Sequence, residues 1–145
     1  MNIIRSLIIL FCVLATACVS KSAVSLITEV QNTPVEEIAW SELPDGRAIA
    51  AVHGDMQTGE HTSYVRFPPG LRTAIHVHSY PYDGVIVKGA ARHFQPASEA
   101  QAVWLMPGSF YRVPGNVAHI SECSEASECI FAIHQHDAFD RALVE

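Results

Sequence analysis

The chain has 145 residues, 49% of them apolar and 17% charged, with a formal net charge of −6. That length gives one domain able to bury a core unaided. Only nine residues are Lys or Arg, scattered without a basic run, which excludes nucleic acid as a partner.

The opening stretch, "MNIIRSLIILFCVLATACVSKSA", carries one charge at Arg5, an apolar run from Leu7 to Leu14 and then small residues. This is the make-up of a signal peptide, here residues 1–22, and the run is too short to span a bilayer. Two processing routes fit. Ala15-Thr16-Ala17 suits ordinary signal peptidase, whereas "LATAC" resembles a bacterial lipoprotein signal with Cys18 as the lipid-anchored residue. Either route predicts an exported protein, periplasmic or lipid-anchored in a bacterial envelope.

Residues 23–145 read as a single domain. "TPVEEIAW" predicts a short N-terminal helical turn, with Thr33 as cap, Pro34 in the first helical position and Glu36 three beyond the cap. The tail "DAFDRALVE" predicts another turn. Between them, "AIAAVH", "TSYVRF", "TAIHVH", "GVIVK", "ARHF", "AVWLM", "SFYRV", "AHIS" and "CIFAIHQH" are short strand-like runs separated by Gly, Pro, Asn and Asp. No segment is long enough for a crossover helix, so the strands must be antiparallel. The fold class is all-β, a sandwich or barrel. In an oxidising compartment Cys123 and Cys129, in the polar segment "CSEASEC", are expected to form a disulfide.

His76 and His78 stand two apart in a predicted strand, so their side chains share one face about 6–7 Å apart. Two imidazoles so placed can converge on one ion. His119, just after the turn Pro114-Gly115-Asn116, is the candidate third ligand. His134, in "HQHD", can approach from a neighbouring strand or sit as a polar group at the rim. His53 and His93 are candidate cavity residues, and His61 reads as surface.

Taken together, two segments resemble the two motifs of the cupin superfamily. The first, G-x5-H-x-H-x3,4-E-x6-G, matches Gly70, His76, His78 and Gly89, with Tyr82 in the glutamate place. The second, G-x5-P-x-G-x2-H-x3-N, matches Gly108, Pro114 and His119, with Asn116 in the glycine place and Cys123 in the asparagine place. The resemblance spans roughly residues 42–140. It is strongest to exported single-domain cupins related to the cupin domain of zinc-binding anti-sigma factors. It implies a double-stranded β-helix, or jelly-roll barrel, with His76, His78 and His119 around a divalent metal.

The glutamate position needs care, because Asp83 fits the longer of the two allowed spacings. Counting back six from Gly89 and forward from His78 both select Tyr82, and neighbours in a strand face opposite ways. Tyr82 is therefore the expected inward residue, as a hydrogen-bond or proton donor or as barrel filler. Three-histidine cupins without the carboxylate include iron dioxygenases, and by donor chemistry the set suits Fe, Zn, Mn, Ni, Cu or Co. The implied function is a metal-dependent enzyme, dioxygenase-like or isomerase-like, acting on a small oxygen-rich compound. Its cavity walls are expected from Phe67, Ile86, Trp104, Phe110 and Phe131. The alternatives are a sensor or carrier that binds metal or a small ligand, and a barrel that persists without metal. Cupins often pair through edge strands, which implies a homodimer.

Overall fold

The computed structural model describes residues 29–144. Residues 33–145 form one compact unit, and the fold below is that unit's alone. The expected signal, with Arg5 and Cys18, lies outside the described residues. Among the described residues no helix is long and apolar enough to cross a membrane.

In chain order the described strands are β1 Ser41–Glu42, β2 Ala48–Gly54, β3 His61–Phe67, β4 His76–Val77, β5 Tyr82–Lys88, β6 Ala91–Phe94, β7 Phe110–Val113, β8 Ile120–Cys123, β9 Cys129–Gln135 and β10 Ala142–Leu143. Six of them form one antiparallel sheet in the order β1-β2-β3-β9-β5-β7. The others pair as β10-β4 and β6-β8. An isolated antiparallel bridge between His76 and His119 links those two pairs into an opposing wall.

Alternation decides what goes inside. Along β9, Cys129, Phe131, Ile133 and Gln135 are buried while Ile130, Ala132 and His134 look outward. The neighbouring strands follow the same period, so Phe67, Ile86, Tyr111 and Val113 meet Ala91 and Cys123 from the opposing wall in one core. Cys123 and Cys129 are joined by a disulfide that ties β8 to β9 across the two walls. All nine predicted runs form strands or bridges, although "AVWLM" is reduced to a bridge from Leu105 to Ala91.

Two local expectations are corrected. The N-terminal turn is a single 3-10 turn, Val35–Glu37, capped by Pro34 with no side-chain cap from Thr33. The tail forms no helical turn. It is extended, and β10 pairs with β4, Ala142 opposite Val77 and Leu143 opposite His76. Backbone groups of the two-residue β4 need a partner, and that tertiary pairing overrides the helix-like composition of the tail. A 3-10 segment at Pro96–Gln101 carried no clear signal in the sequence.

Candidate metal centre

His76 opens β4, His78 follows it, and His119 lies beside His76 through reciprocal backbone hydrogen bonds of 3.1 and 3.0 Å. The turn before His119 is set by Asn116, whose φ of 59° is left-handed. Asparagine tolerates that conformation, which explains how it fills the glycine place of the motif. Asn116 also donates its backbone N–H to the His78 carbonyl at 2.7 Å, locking the second motif onto the first. As a result the ring centroids stand 4.2 Å apart for His76 and His119, 5.1 Å for His76 and His78, and 5.4 Å for His78 and His119.

Each imidazole is fixed in the same way. Nδ1–H of His76 donates to the Ala74 carbonyl at 2.9 Å, that of His119 to the Val117 carbonyl at 2.9 Å, and that of His78 to the Asp140 carbonyl. A ring whose Nδ1 holds the proton presents a bare lone pair on Nε2. The donor atoms of the three lie within 4.8 Å of one another. Burial lowers the basicity of all three, His76 to about 3, so they stay neutral at physiological pH. Three neutral, pre-oriented nitrogen donors on one side of a cavity fit a divalent transition metal with positions left open opposite.

Tyr82 is buried at the start of β5, its hydroxyl 3.4 Å from Nε2 of His119. Burial pushes its phenol further above its ordinary range, so the group keeps its proton and acts as a donor. Asp83 faces the other way. Its carboxylate is gripped by the Arg112 guanidinium at 2.6 and 2.8 Å, which holds it below the usual carboxylate range. His134 pairs with Asp83 in register on that same outer face, 3.2 Å from the Thr62 hydroxyl and 3.5 Å from Glu60. Neither is brought to the three histidines. Together with His136, His134 and Glu60 form an exposed polar group at the end of β9.

The cavity in front of the histidines has an empty volume of about 420 Å³, open mouth included. Phe67 and Phe131 line it as expected, and so does His93, stacked on Tyr111 with centroids 3.9 Å apart. Tyr111 can lie there because its strand partner is Gly84, where a Cβ would stand 2.2 Å from the ring. The other expected walls are corrected. Ile86 packs in the core behind the cavity, while Phe110 is 61% and Trp104 44% exposed on the outside. Phe110 precedes the buried Tyr111 on one strand, so it must point out, and Trp104 lies against the Arg92 guanidinium at 4.8 Å. His53 is exposed, not in the cavity. His61, expected at the surface, is fully buried in β3, donating or accepting at 2.9 Å with Ser63. Phe139 and Arg47 also line the cavity, brought there only by the tertiary path of their loops, which no local sequence signal announces.

Residues 28–138 match the model of the ChrR cupin-like domain. The chain belongs to that family. Solved structures agree on the fold. The polyketide cyclase RemF from Streptomyces resistomycificus is similar at TM-score 0.66 and 11% identity, over 81% of this chain and 87% of that one. A cupin-2 domain from Rhodospirillum rubrum gives TM-score 0.64 at 12% identity, over 81% of each chain. A cupin-superfamily sugar phosphate isomerase from Silicibacter pomeroyi gives 0.59 at 16%, over 79% and 74%. No curated protein matches. Within this ChrR cupin-like domain, tyrosine stands where the cupin motif has its carboxylate.

The buried imidazoles also set a pH dependence. Burial pushes His93, like His76, down to about 3. The unfolded chain takes up these protons near pH 6.5 and the folded chain does not, so stability is present above that pH and is lost as pH falls toward 3. The depressed carboxylates act only below about pH 4.5. The melting temperature of the metal-free protein at pH 5 is therefore expected to lie more than about 5 °C below its value at pH 7. Equal melting temperatures at the two pH values would show that the histidines are not buried and neutral.

Proposed function

We propose that this cupin is a metal-dependent enzyme in which His76, His78 and His119 hold one divalent ion and Tyr82 serves as hydrogen-bond or proton donor to a small oxygen-rich substrate. The observation that carries this reading is the shared tether of the three imidazoles, each proton on Nδ1 directed to a backbone carbonyl and each Nε2 left for a ligand. When bound, the ion would supply Lewis-acid polarisation of substrate oxygens. The rest is the work of the chain. Phe67, Phe131 and Ile133 present an apolar wall that strips water from the substrate, and the protonated Tyr82 can deliver or share a proton beside the reacting oxygen. An isomerase-like course would use Tyr82 as its proton donor, and an iron ion in the same set would favour the dioxygenase-like course. The disulfide supports the expected export to an oxidising compartment, periplasmic or lipid-anchored.

The family match favours a second reading, a metal-binding sensor domain. The two differ in whether the ion is open to small ligands. Cobalt(II)-loaded protein titrated with azide is expected to show a changed visible spectrum, in the parent and in Tyr82→Phe alike. A spectrum indifferent to azide, with one cobalt bound per chain, would favour the closed sensor site.

A further inference from the structure

The segment that crosses the mouth of the cavity brings a cation. Asp140 accepts the His78 Nδ1–H through its carbonyl, and its carboxylate accepts from the backbone N–H of Ser79 at 2.8 Å, so the chain is pinned at this point. One residue on, the β10-β4 register decides a direction. Ala142 stands opposite Val77 and Leu143 opposite His76, which places Arg141 opposite His78. Residues directly opposite in an antiparallel pair share a face, so the register continued by one residue sets Arg141 on the side of His78, and its charge is felt at His76, His78 and His119. Its Nε is buried and has no hydrogen-bond partner among the described residues.

A second guanidinium, that of Arg47, lines the cavity itself. Arg47 is largely buried and is held by Asp45 through Nε at 2.8 Å and Nη2 at 2.7 Å, leaving Nη1 uncommitted. Asp45 is thus spent on Arg47, and the Asp140 carboxylate is spent on Ser79 and faces solvent. With each carboxylate already engaged, what the site offers an anion is the unfilled donors, Nε of Arg141 and Nη1 of Arg47, beside three neutral histidines. The proximity is felt at Arg141 itself, whose basicity is lowered by burial and then by the Arg47 charge. A buried guanidinium donor without an acceptor is unfavourable until something supplies one.

We propose that Arg141, assisted by Arg47, is an anion-binding subsite at the cavity mouth, and that the substrate is a small carboxylate seated there. This deepens the metal-site reading above and rests on it for the position of the reacting end. A planar guanidinium fork matches the two oxygens of a carboxylate. Three neutral ligands would leave the ion's full charge in place, which adds to the preference for an anion.

The test uses propionate and inorganic phosphate as probes in metal-free and zinc-loaded protein, with the Arg141 Nε–H signal followed by NMR in the parent and Kd measured by calorimetry in the parent and every variant. Propionate is expected to shift that signal saturably. Its Kd is expected to rise about tenfold in Arg141→Gln, with partial retention in Arg141→Lys and a smaller loss in Arg47→Gln. An unshifted Arg141 signal, or an unchanged Kd in Arg141→Gln, overturns the subsite. Phosphate binding tighter than propionate overturns the carboxylate assignment. Zinc content measured on the same samples separates the two ideas. Zinc retained with propionate indifferent sinks the subsite alone, and propionate bound at Arg141 without zinc uptake sinks the metal reading alone.

Discussion

Replacing His78 with alanine is expected to weaken binding of a divalent ion by more than about 100-fold. Loss of a group that merely orients a metal-bound histidine typically costs 10–100-fold, and loss of the ligand itself costs more. His78 is the informative choice because it does two jobs. It offers Nε2 toward His76 and His119, and through Nδ1–H it holds the Asp140 carbonyl that fixes the C-terminal segment. The variant should therefore lose metal and also loosen Arg141. His119→Ala should lose metal to the same degree while leaving the Asp140 tether intact. Metal titration of both variants beside the parent, with melting curves to confirm folding, checks the result. Affinity unchanged in either folded variant would remove that histidine from the site.

Cutting the disulfide should have the largest effect on stability. Cys123 and Cys129 are both fully buried, and the bond closes a loop of five intervening residues between strands on opposite walls. Loop closure of that size accounts for about 2–3 kcal/mol. For a domain of this length, the loss corresponds to a fall in melting temperature of roughly 8–15 °C. Melting with and without reductant, and of a Cys123→Ala/Cys129→Ala variant, measures it directly. The histidines sit at the far end of the strands from this bond, so metal uptake below the melting point should survive. A melting temperature unmoved by reductant would mean that the bond does not constrain the unfolded chain.

Much of the site was legible because strand periodicity is short-range. The i, i+2 spacing of His76 and His78 placed both on one face, and the count to Gly89 picked Tyr82 over Asp83. The structure puts Tyr82 inside and Asp83 on Arg112 outside. The same alternation, applied to "SFYRV", would have sent Phe110 outward once Tyr111 was taken as buried. The apolar character of Phe110 instead suggested a wall. His61 was misplaced because Glu60 and Thr62 are polar neighbours, whereas its burial depends on β9 and Phe139 closing over it. The tail was the least legible part. "DAFDRALVE" has helix-forming residues, and nothing local announces that Ala142 will pair with Val77, 65 positions earlier, in a two-residue strand. Yet it brings Phe139 to the cavity, the Asp140 carbonyl to His78 and the Arg141 charge within reach of all three histidines.

The most direct test of the account is X-ray absorption at the zinc edge of the protein loaded with one equivalent of zinc. Three imidazole nitrogens at about 2.0–2.1 Å, completed by an exchangeable oxygen and no sulfur, are expected. Fewer than three imidazoles, or a shell completed by protein carboxylate, would contradict a centre built from His76, His78 and His119.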